Sequence, residues 1–274
     1  MALWTFFGLR RGKATTSWPN AGGRDGQSGL FGMPRYRPEL CADSCAMCAD
    51  ACPTQAIRMA ESGQGDAGAR LEIDYGRCIV CQLCVEACPT GAMERSNDWA
   101  FAVADRSDLK LAPAAPPAAR ETPEGPPRAS PRRFRRSLHV RHVDAGSCNG
   151  CESELQALNN PFYNLHRLGI FFTPSPRFAD VLLVTGPVTY AMREPLLRTY
   201  AAMPDPKWVI ATGTCAVSGG IVEGGYACGH GLEGVLPVDI YLPGCPPNPA
   251  AITEALLLLL ERAPQRVKEG RHVK

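Results

Sequence analysis

The sequence predicts two packed regions, a small α+β region followed by a larger α/β region with a mostly parallel sheet. Three observations support this. Two similar cysteine-rich runs lie in the first third of the chain, a proline- and alanine-rich stretch follows, and apolar strand-like runs then alternate with helical patterns. The 274 residues are enough for two domains of ordinary size. The expected boundaries are 1–108 for the first domain with its N-terminal extension, 109–137 for a linker and 138–274 for the second domain.

The individual elements follow from local patterns. In the first region, the alternating residues 71–75 predict one short strand. Residues 111–131 are rich in proline and alanine, a composition that predicts an extended, semi-rigid linker. The second region contains continuous apolar runs, as in a sheet covered on both faces. Strands are expected at 138–143, 181–184, 208–211 and 238–242, and helices at 152–158, 190–202 and 249–262.

Composition and charge exclude several classes of protein. The formal net charge of +2 is not the strongly basic charge that is typical of nucleic-acid-binding proteins, so no nucleic-acid partner is expected. The longest apolar run, residues 255–260, is far shorter than the ~20 residues of a membrane span. The first residues place their apolar side chains before the arginines, the reverse of a secretory signal. We therefore expect a cytoplasmic protein, in which thirteen cysteines indicate metal ligation rather than disulfides.

Eight cysteines form two runs with the spacings C-x3-C-x2-C-x3-C-P and C-x2-C-x2-C-x3-C-P. This pattern resembles that of a two-cluster bacterial ferredoxin, in which three cysteines surround one cubane cluster and the last ligates the other. Both runs end in Cys-Pro-Thr, and they align as an internal repeat. The predicted ligand sets therefore interleave: one is Cys41, Cys45, Cys48 and Cys88, and the other is Cys52, Cys78, Cys81 and Cys84.

Two questions about these runs stay open. The first run opens with three intervening residues where the usual form has two, as if Asp43 or Ser44 were inserted, so Cys41 is the unusual ligand of the eight. Paired structural zinc sites also use C-x2-C spacing. A zinc site does not explain the third cysteine of each run or the Cys-Pro ending. A zinc-binding assembly scaffold without redox function is nevertheless the alternative from a different class of protein.

Four more cysteines follow strands of the second region. Cys148 and Cys151 come after its first strand, Cys215 after the strand at 208–211, and Cys245 after the last strand. Since the carboxyl ends of parallel strands meet at one edge of a sheet, these thiols can converge on a third metal site, with zinc again as the alternative. Cys228 has no partner spacing and is expected to be a free or buried thiol.

The acidic residue beside this third group has two interpretations. Glu152 directly follows Cys151 at the start of a predicted helix, and no paired partner is visible in the sequence. A carboxylate at a helix start is stabilised by the helix dipole, which is sufficient to explain it. The functional interpretation is that Glu152 passes protons toward a neighbouring active site. No catalytic acid, base or nucleophile is expected in the chain itself.

The segments GSCNGCESEL, GTCAVSGG and VDIYLPGCPPNP resemble the small iron–sulfur subunit shared by membrane-bound NiFe hydrogenases, formate hydrogenlyases and complex I. The resemblance covers roughly residues 138–262, and the front half resembles the ferredoxin-type subunit of the same complexes. It implies a flavodoxin-like domain with a proximal 4Fe–4S cluster beside a catalytic large subunit. The spacing C-x2-C resembles the hydrogenase branch, because complex I subunits have adjacent cysteines at this point. The implied cluster ligands are Cys148, Cys151, Cys215 and Cys245.

The sequence therefore predicts an electron-transfer subunit with three 4Fe–4S clusters in a formate hydrogenlyase-like oxidoreductase complex. The catalytic centre is expected in the large subunit, and the other partners are electron-transfer and membrane subunits. These partners would hold the chain peripherally at the inner face of the cell membrane. The alternative within the same architecture is a complex I-like, quinone-linked oxidoreductase subunit.

Overall fold

The computed structural model of the chain describes residues 6, 8–10, 12–20, 23–42, 45–59, 71–112 and 130–273. The centre of the expected linker, 113–129, and the glycine-rich stretch between the two cysteine runs lie outside the described residues. Among the residues that the structure describes, no helix is both long enough and apolar enough to cross a membrane.

The N-terminal region reproduces the internal repeat of the sequence. It contains strands β1 (Arg35–Tyr36), β2 (Ile57–Met59), β3 (Leu71–Asp74), β4 (Met93–Glu94) and β5 (Lys110–Leu111), and helices α1 (Met47–Asp50) and α2 (Leu83–Glu86). In each copy a short 3-10 helix precedes the first cysteine, and a one-turn α-helix carries the third. Strand β1 pairs with β4, while β2, β3 and β5 form a second antiparallel sheet.

The packed part of the N-terminal region extends past the expected boundary at residue 108. Leu109 is fully buried and Leu111 is nearly so. Strand β5 pairs with β3, which corresponds to the strand predicted at 71–75. Leu109 ends a short 3-10 helix and Leu111 lies in β5, and both side chains are buried although proline-rich sequence follows directly. Residues 109–111 therefore belong to the N-terminal core and not to a linker.

The C-terminal region is built on a five-stranded parallel sheet. Its strands are β6 (Leu138–Asp144), β7 (Ile170–Phe172), β8 (Val181–Thr185), β9 (Trp208–Thr212) and β10 (Ile240–Leu242). Numbered in chain order, these strands lie across the sheet as 2-1-3-4-5, the flavodoxin-like order with its switch point between β6 and β8. This confirms the predicted fold class.

The helices of the C-terminal region begin close to the predicted positions. Helix α6 starts at a proline after Asn248, whose side chain accepts a hydrogen bond from the N–H of Ala251 at 2.8 Å. The predicted strand at 238–242 is shorter in the structure because only its last three residues pair with β9. The helices are α3 (Gly150–Ala157), α4 (Tyr190–Ala201), α5 (Thr214–Ser218) and α6 (Pro249–Leu259).

The N-terminal region packs directly on the parallel sheet. Val103 and Tyr241 exchange two backbone hydrogen bonds, of 3.0 Å from the N–H of Val103 and 2.8 Å from the N–H of Tyr241. A single apolar core contains Ile73 and Leu109 from the first region together with Leu182 from the sheet. The two regions therefore form one packed unit, whatever path the proline-rich segment takes between them.

The C-terminal tail also contacts the first region. Strands β11 (Val267–Lys268) and β12 (Arg271–His272) form a small antiparallel hairpin. The N–H of Gly270 donates to the carbonyl of Asp108 at 2.8 Å, and Nε2 of Gln265 donates to Oδ2 of Asp108 at 2.7 Å. The last residues of the chain thus hold the end of the N-terminal core.

Candidate metal centres

Four cysteines from both runs surround one small, mostly apolar cavity. Cys52 of the first run lies beside three cysteines of the second, and Thr54 and Ile73 complete the wall between them. The arrangement matches the interleaved set expected from the spacing. We call this group site II: Cys52, Cys78, Cys81 and Cys84.

The loop of site II is held in an unusual backbone conformation. Val80 has φ 60° and Gln82 has φ 64°, a left-handed region that costs a β-branched residue energy and persists only when the surroundings hold it. The buried Gln82 side chain supplies one such constraint, because its Nε2 donates to the carbonyl of Gly32 at 3.0 Å. Backbone N–H groups turn toward the sulfurs, with Ala56 3.3 Å from Cys52 Sγ and Val80 3.4 Å from Cys78 Sγ.

We call the other predicted set site I: Cys41, Cys45, Cys48 and Cys88. Burial, followed by the charges of Cys88 and Cys41, raises the pKa of the Cys48 thiol to about 11. Cys41 packs against the apolar core that contains Cys48, while residues 43 and 44, at the extra position, lie outside the described part of the chain. Cys45 is half-buried, two residues before α1.

The pKa of Cys88 in site I is lowered, whereas that of Cys48 in the same site is raised. Burial acts to raise the pKa of Cys88, but hydrogen bonds from the N–H of Met93 and from Thr90 outweigh it and lower that pKa overall. The N–H of Met93 lies 3.4 Å from the Cys88 sulfur. Donors of this kind stabilise a thiolate, the form in which cysteine binds metal.

The third group, site III, lies at the carboxyl edge of the parallel sheet and consists of Cys148, Cys151, Cys215 and Cys245. Cys151 is in the first turn of α3 and Cys215 is in α5. Burial raises the pKa of Cys151, and the charges of Glu152 and of the other three cysteines of the group raise it further. The structure therefore brings together the four thiols expected from the resemblance.

Two glycines allow the backbone to approach the sulfurs of site III. Gly213 has φ +88°, and a Cβ there would lie 2.7 Å from the Cys151 sulfur. Gly220 has φ +61°, and a Cβ there would lie 3.0 Å from the Cys215 sulfur. Both positions require a left-handed backbone and leave no space for a side chain, so glycine is the residue that fits.

The thiols of the three sites fit iron–sulfur clusters chemically. Burial first, and then neighbouring thiols, raise the pKa of Cys78 and of Cys84 to about 12. Four clustered thiolates in an apolar cavity are unfavourable by themselves, and a bound cation compensates by displacing their protons. Among the described residues, no three His, Cys, Asp or Glu side chains are grouped as ligands of a single metal ion. A cubane cluster is held at separate corners by four cysteines.

Cys228 lies outside the three groups. Its side chain is buried, and its thiol donates to the carbonyl of Val222 at 3.0 Å. It is close enough to Cys215 to contribute to the raised pKa of that thiol, although burial and the charges of Cys245 and Cys148 contribute more.

Glu152 has partners that the sequence did not reveal. Its carboxylate accepts from Ser147 Oγ at 2.5 Å and from the hydroxyl of Thr185, and His142 Nε2 lies 3.5 Å away. These partners are not visible in the sequence because Thr185 and His142 belong to different strands that meet only in the folded sheet. Burial lowers the pKa of His142, while the charges of Glu152 and Asp144 act to raise it.

Two family models match the chain. The model described as 4Fe-4S dicluster domain matches residues 40–92, and the model described as NADH ubiquinone oxidoreductase, 20 Kd subunit, matches residues 148–259. The first match contains all of sites I and II, and the second contains all of site III.

Two of the curated relatives are hydrogenase or hydrogenlyase subunits by name. Formate hydrogenlyase subunit 7 of Escherichia coli (strain K12) is 46% identical over 136 residues, which are 50% of this chain and 53% of that protein. The chain therefore spans about half the length of this relative. The "Probable membrane-bound hydrogenase subunit mbhJ" of Pyrococcus furiosus is 44% identical over 133 residues, 48% of this chain and 80% of that protein. A solved structure of an archaeal membrane-bound sulfane sulfur reductase is similar at a TM-score of 0.43 and 34% identity, covering 52% of this chain and 79% of that one.

The fold and the grouped cysteines define an iron–sulfur, electron-transfer subunit of the hydrogenase and complex I type. More particularly, the chain belongs to the family of the 20 Kd subunit of NADH ubiquinone oxidoreductase, and a 4Fe–4S dicluster domain precedes the family's domain in the same chain. This confirms the resemblance stated from the sequence.

Proposed function

We propose that the chain carries three 4Fe–4S clusters, at sites I, II and III, as the electron-transfer subunit of a formate hydrogenlyase-like complex. The observation that carries the proposal is the proximity of the sites, with a hydrogen bond joining the second to the third. Cys48 of site I is near enough to Cys84 of site II to act on its pKa. The carbonyl of Cys78 in site II accepts a hydrogen bond from Thr214, which directly precedes Cys215 of site III.

The residues around the sites have roles that follow from their chemistry. Bound clusters supply one-electron oxidation and reduction, over a range of potentials set by hydrogen bonds and solvent exposure. The apolar wall of site II, including Ile57 and Ile73, excludes water. The N–H groups of Ala56, Val80 and Met93 point at cysteine sulfurs and stabilise added negative charge there.

The exposure of site III supports a partner subunit that holds the catalytic centre. Cys148 and Cys245 are exposed, although Cys151 and Cys215 of the same site are half-buried. The loop that follows Cys215 also exposes Tyr226 completely. A protein surface of this kind is expected to be covered in an assembly. We assign it to the catalytic large subunit, with further electron-transfer and membrane subunits holding the chain at the inner face of the membrane.

The second candidate is a quinone-linked complex of the complex I type, favoured by the family model that matches residues 148–259. Both candidates use the same three sites, and they differ only in the reaction of the partner. The zinc scaffold is the alternative in which no electron is transferred.

Metal analysis of the anaerobically purified chain tests the proposal. We expect about twelve iron atoms per chain, four for each of three clusters, with little zinc. Zinc in place of iron would favour the scaffold. Purification of the native complex, followed by assays of hydrogen turnover and of quinone reduction, separates the remaining two candidates. A complex that reduces quinone and has no hydrogenase activity would contradict the formate hydrogenlyase-like assignment.

A further inference from the structure

One hydroxyl group lies between two of the cysteine sites. Thr214 is only 1% exposed, at the junction where α5 meets the N-terminal region. Its Oγ1 donates to the carbonyl oxygen of Cys78 at 2.8 Å and accepts from the N–H of Gly244 at 3.0 Å. The N–H of Thr214 donates in turn to the carbonyl of Gly244 at 2.9 Å. The hydroxyl thus joins two backbone segments that are far apart in the chain.

Each of these segments contains cysteines of a different site. Cys78 belongs to site II, whereas Thr214 and Gly244 directly precede Cys215 and Cys245 of site III. The hydroxyl therefore connects the backbone of one site-II cysteine to the residues beside two site-III cysteines. A hydroxyl has one donor and two acceptor positions, and here its proton and one lone pair are both used.

Burial gives this contact a particular significance for electron transfer. Electronic coupling between two redox centres decreases steeply across an empty or water-filled gap, and less steeply across covalent and hydrogen bonds. Since Thr214 is buried, no water competes for its hydroxyl, and in a low-dielectric interior the two hydrogen bonds are strengthened. The path from Cys78 to Cys245 then consists of bonded atoms and two hydrogen bonds.

We propose that the Thr214 hydroxyl is the hydrogen-bonded bridge through which site II and site III exchange electrons. The proposal rests on the proposed function, because both sites must hold clusters. In the step concerned, one electron leaves site II, which is oxidised, and enters site III, which is reduced. No covalent bond is made or broken, and the hydroxyl keeps its proton. Thr214 acts through the ligand loops, so it is a positioning residue and not a ligand.

A second contact across the same junction serves as a control. Arg77 and Glu223 also join the two regions, but Glu223 reaches the guanidinium of Arg77 and touches no backbone atom of site II in the described structure. We therefore expect Glu223→Gln to weaken the docking of the regions and to leave the Thr214 hydrogen bonds in place. It separates an effect of looser docking from an effect of the lost bridge.

The test compares Thr214→Val, which removes the hydroxyl at similar volume, with Thr214→Ser, which retains it. In each reconstituted full-length chain, iron content and the spectra of all clusters are measured first. Sites I and II are then reduced rapidly with a photochemical one-electron donor, and reduction of site III is followed by freeze-quench electron paramagnetic resonance. Independently, hydrogen exchange is measured at the amide of Gly244.

We expect Thr214→Val to retain three clusters, to reduce site III several-fold more slowly, and to exchange the Gly244 amide on the order of fivefold faster. Thr214→Ser should reduce site III at the wild-type rate. Glu223→Gln should keep both the reduction rate of site III and the exchange rate of the Gly244 amide near their wild-type values. Wild-type kinetics in Thr214→Val would overturn the bridge, as would loss of the site-III cluster in that variant, since the hydroxyl would then serve to build the site. A wild-type chain without iron in site III would instead refute the proposed function.

Discussion

Arg77 and Glu223 form a bidentate ion pair across the junction of the two regions. Nη1 of Arg77 lies 3.0 Å from Oε1 of Glu223, and Nη2 contacts the other carboxylate oxygen. Arg77 also donates from Nε to the carbonyl of Thr54 at 3.2 Å, and Glu223 contacts Nδ1 of His230 at 2.8 Å. Because Arg77 directly precedes Cys78, the pair fixes the loop after Cys215 against the cysteine loop of site II.

Breaking this pair should destabilise the protein measurably. The side chains of Arg77 and Glu223 are 22% and 20% exposed, so this ion pair is intermediate between fully exposed and fully buried ion pairs. We expect a double-mutant cycle of Arg77→Met and Glu223→Gln to give a coupling energy of about 1–2 kcal/mol in urea unfolding. The exposed pair of Glu194 and Arg198 is the matched control, with an expected coupling below about 0.5 kcal/mol. Equal couplings for the two pairs would contradict a structural role of Arg77 at the junction.

Glu254 should make stability depend on pH. It is 4% exposed on α6; its Oε1 pairs with Nε of Arg266 at 2.7 Å, and its Oε2 has no hydrogen-bond partner among the described residues. Burial raises the pKa of Glu254 to about 7, although the charge of Arg266 acts to lower it. Between the ordinary pKa of 4.5 and 7, the folded protein therefore holds a proton that the unfolded chain has released.

The stabilisation from this proton is fully present below pH 4.5 and is lost as the pH rises through about 7. Relative to Glu254→Gln, wild-type protein should lose about 3 kcal/mol of unfolding free energy across that interval. Urea unfolding of both proteins at closely spaced pH values measures the difference. Parallel stability curves for the two proteins would show that Glu254 has an ordinary pKa in the folded state.

Cys41 should be a ligand of site I despite its longer spacing. Cys41 packs against the apolar core that contains Cys48, and its charge contributes to the raised pKa of Cys48, after burial and Cys88. Cys41→Ser is therefore expected to lower the iron content by up to about four atoms and to leave the spectra of the other sites intact. Cys45→Ser in the same run provides the comparison. Unchanged iron and spectra in Cys41→Ser would exclude it as a ligand.

Cys228 should be dispensable for metal binding, although it lies near Cys215. Its thiol already donates to the carbonyl of Val222. We expect Cys228→Ser to keep its full iron content and to change the unfolding free energy by no more than about 1–2 kcal/mol. Cys215→Ser should lose the cluster of site III, about four iron atoms. If Cys228→Ser lost iron as well, the ligand set of site III would need revision.

The sequence predicted those features that local spacing and periodicity encode. The cysteine intervals were sufficient to group Cys52 with the second run, and the continuous apolar runs of β8 and β9 marked strands that the structure buries completely. Strand β7 was missed because Ile170–Phe172 is too short to display a period. For the same reason the leucines at 109 and 111 were assigned to a linker.

The contacts between the regions could not be predicted, because each joins residues that are distant in the chain. Arg77 and Glu223 are 146 positions apart, and Thr214 and Cys78 are 136 apart. A single arginine or threonine carries no local signal of its partner. The neighbours of Glu152 were missed on the same grounds, since they meet only when β6 and β8 are paired.

The backbone pairing of Val103 with Tyr241 covers the outer side of β10, the last strand at that edge of the parallel sheet. An uncovered edge exposes unpaired N–H and C=O groups to which strands of other molecules can add, a common route to aggregation. The segment that contains Val103 precedes β10 by more than a hundred residues, so during translation it leaves the ribosome first. Domains fold in that order as they are synthesised, and the protecting segment is available when β10 emerges. If the C-terminal region were synthesised as a separate polypeptide, the edge of β10 would stay unpaired until a second polypeptide bound to it.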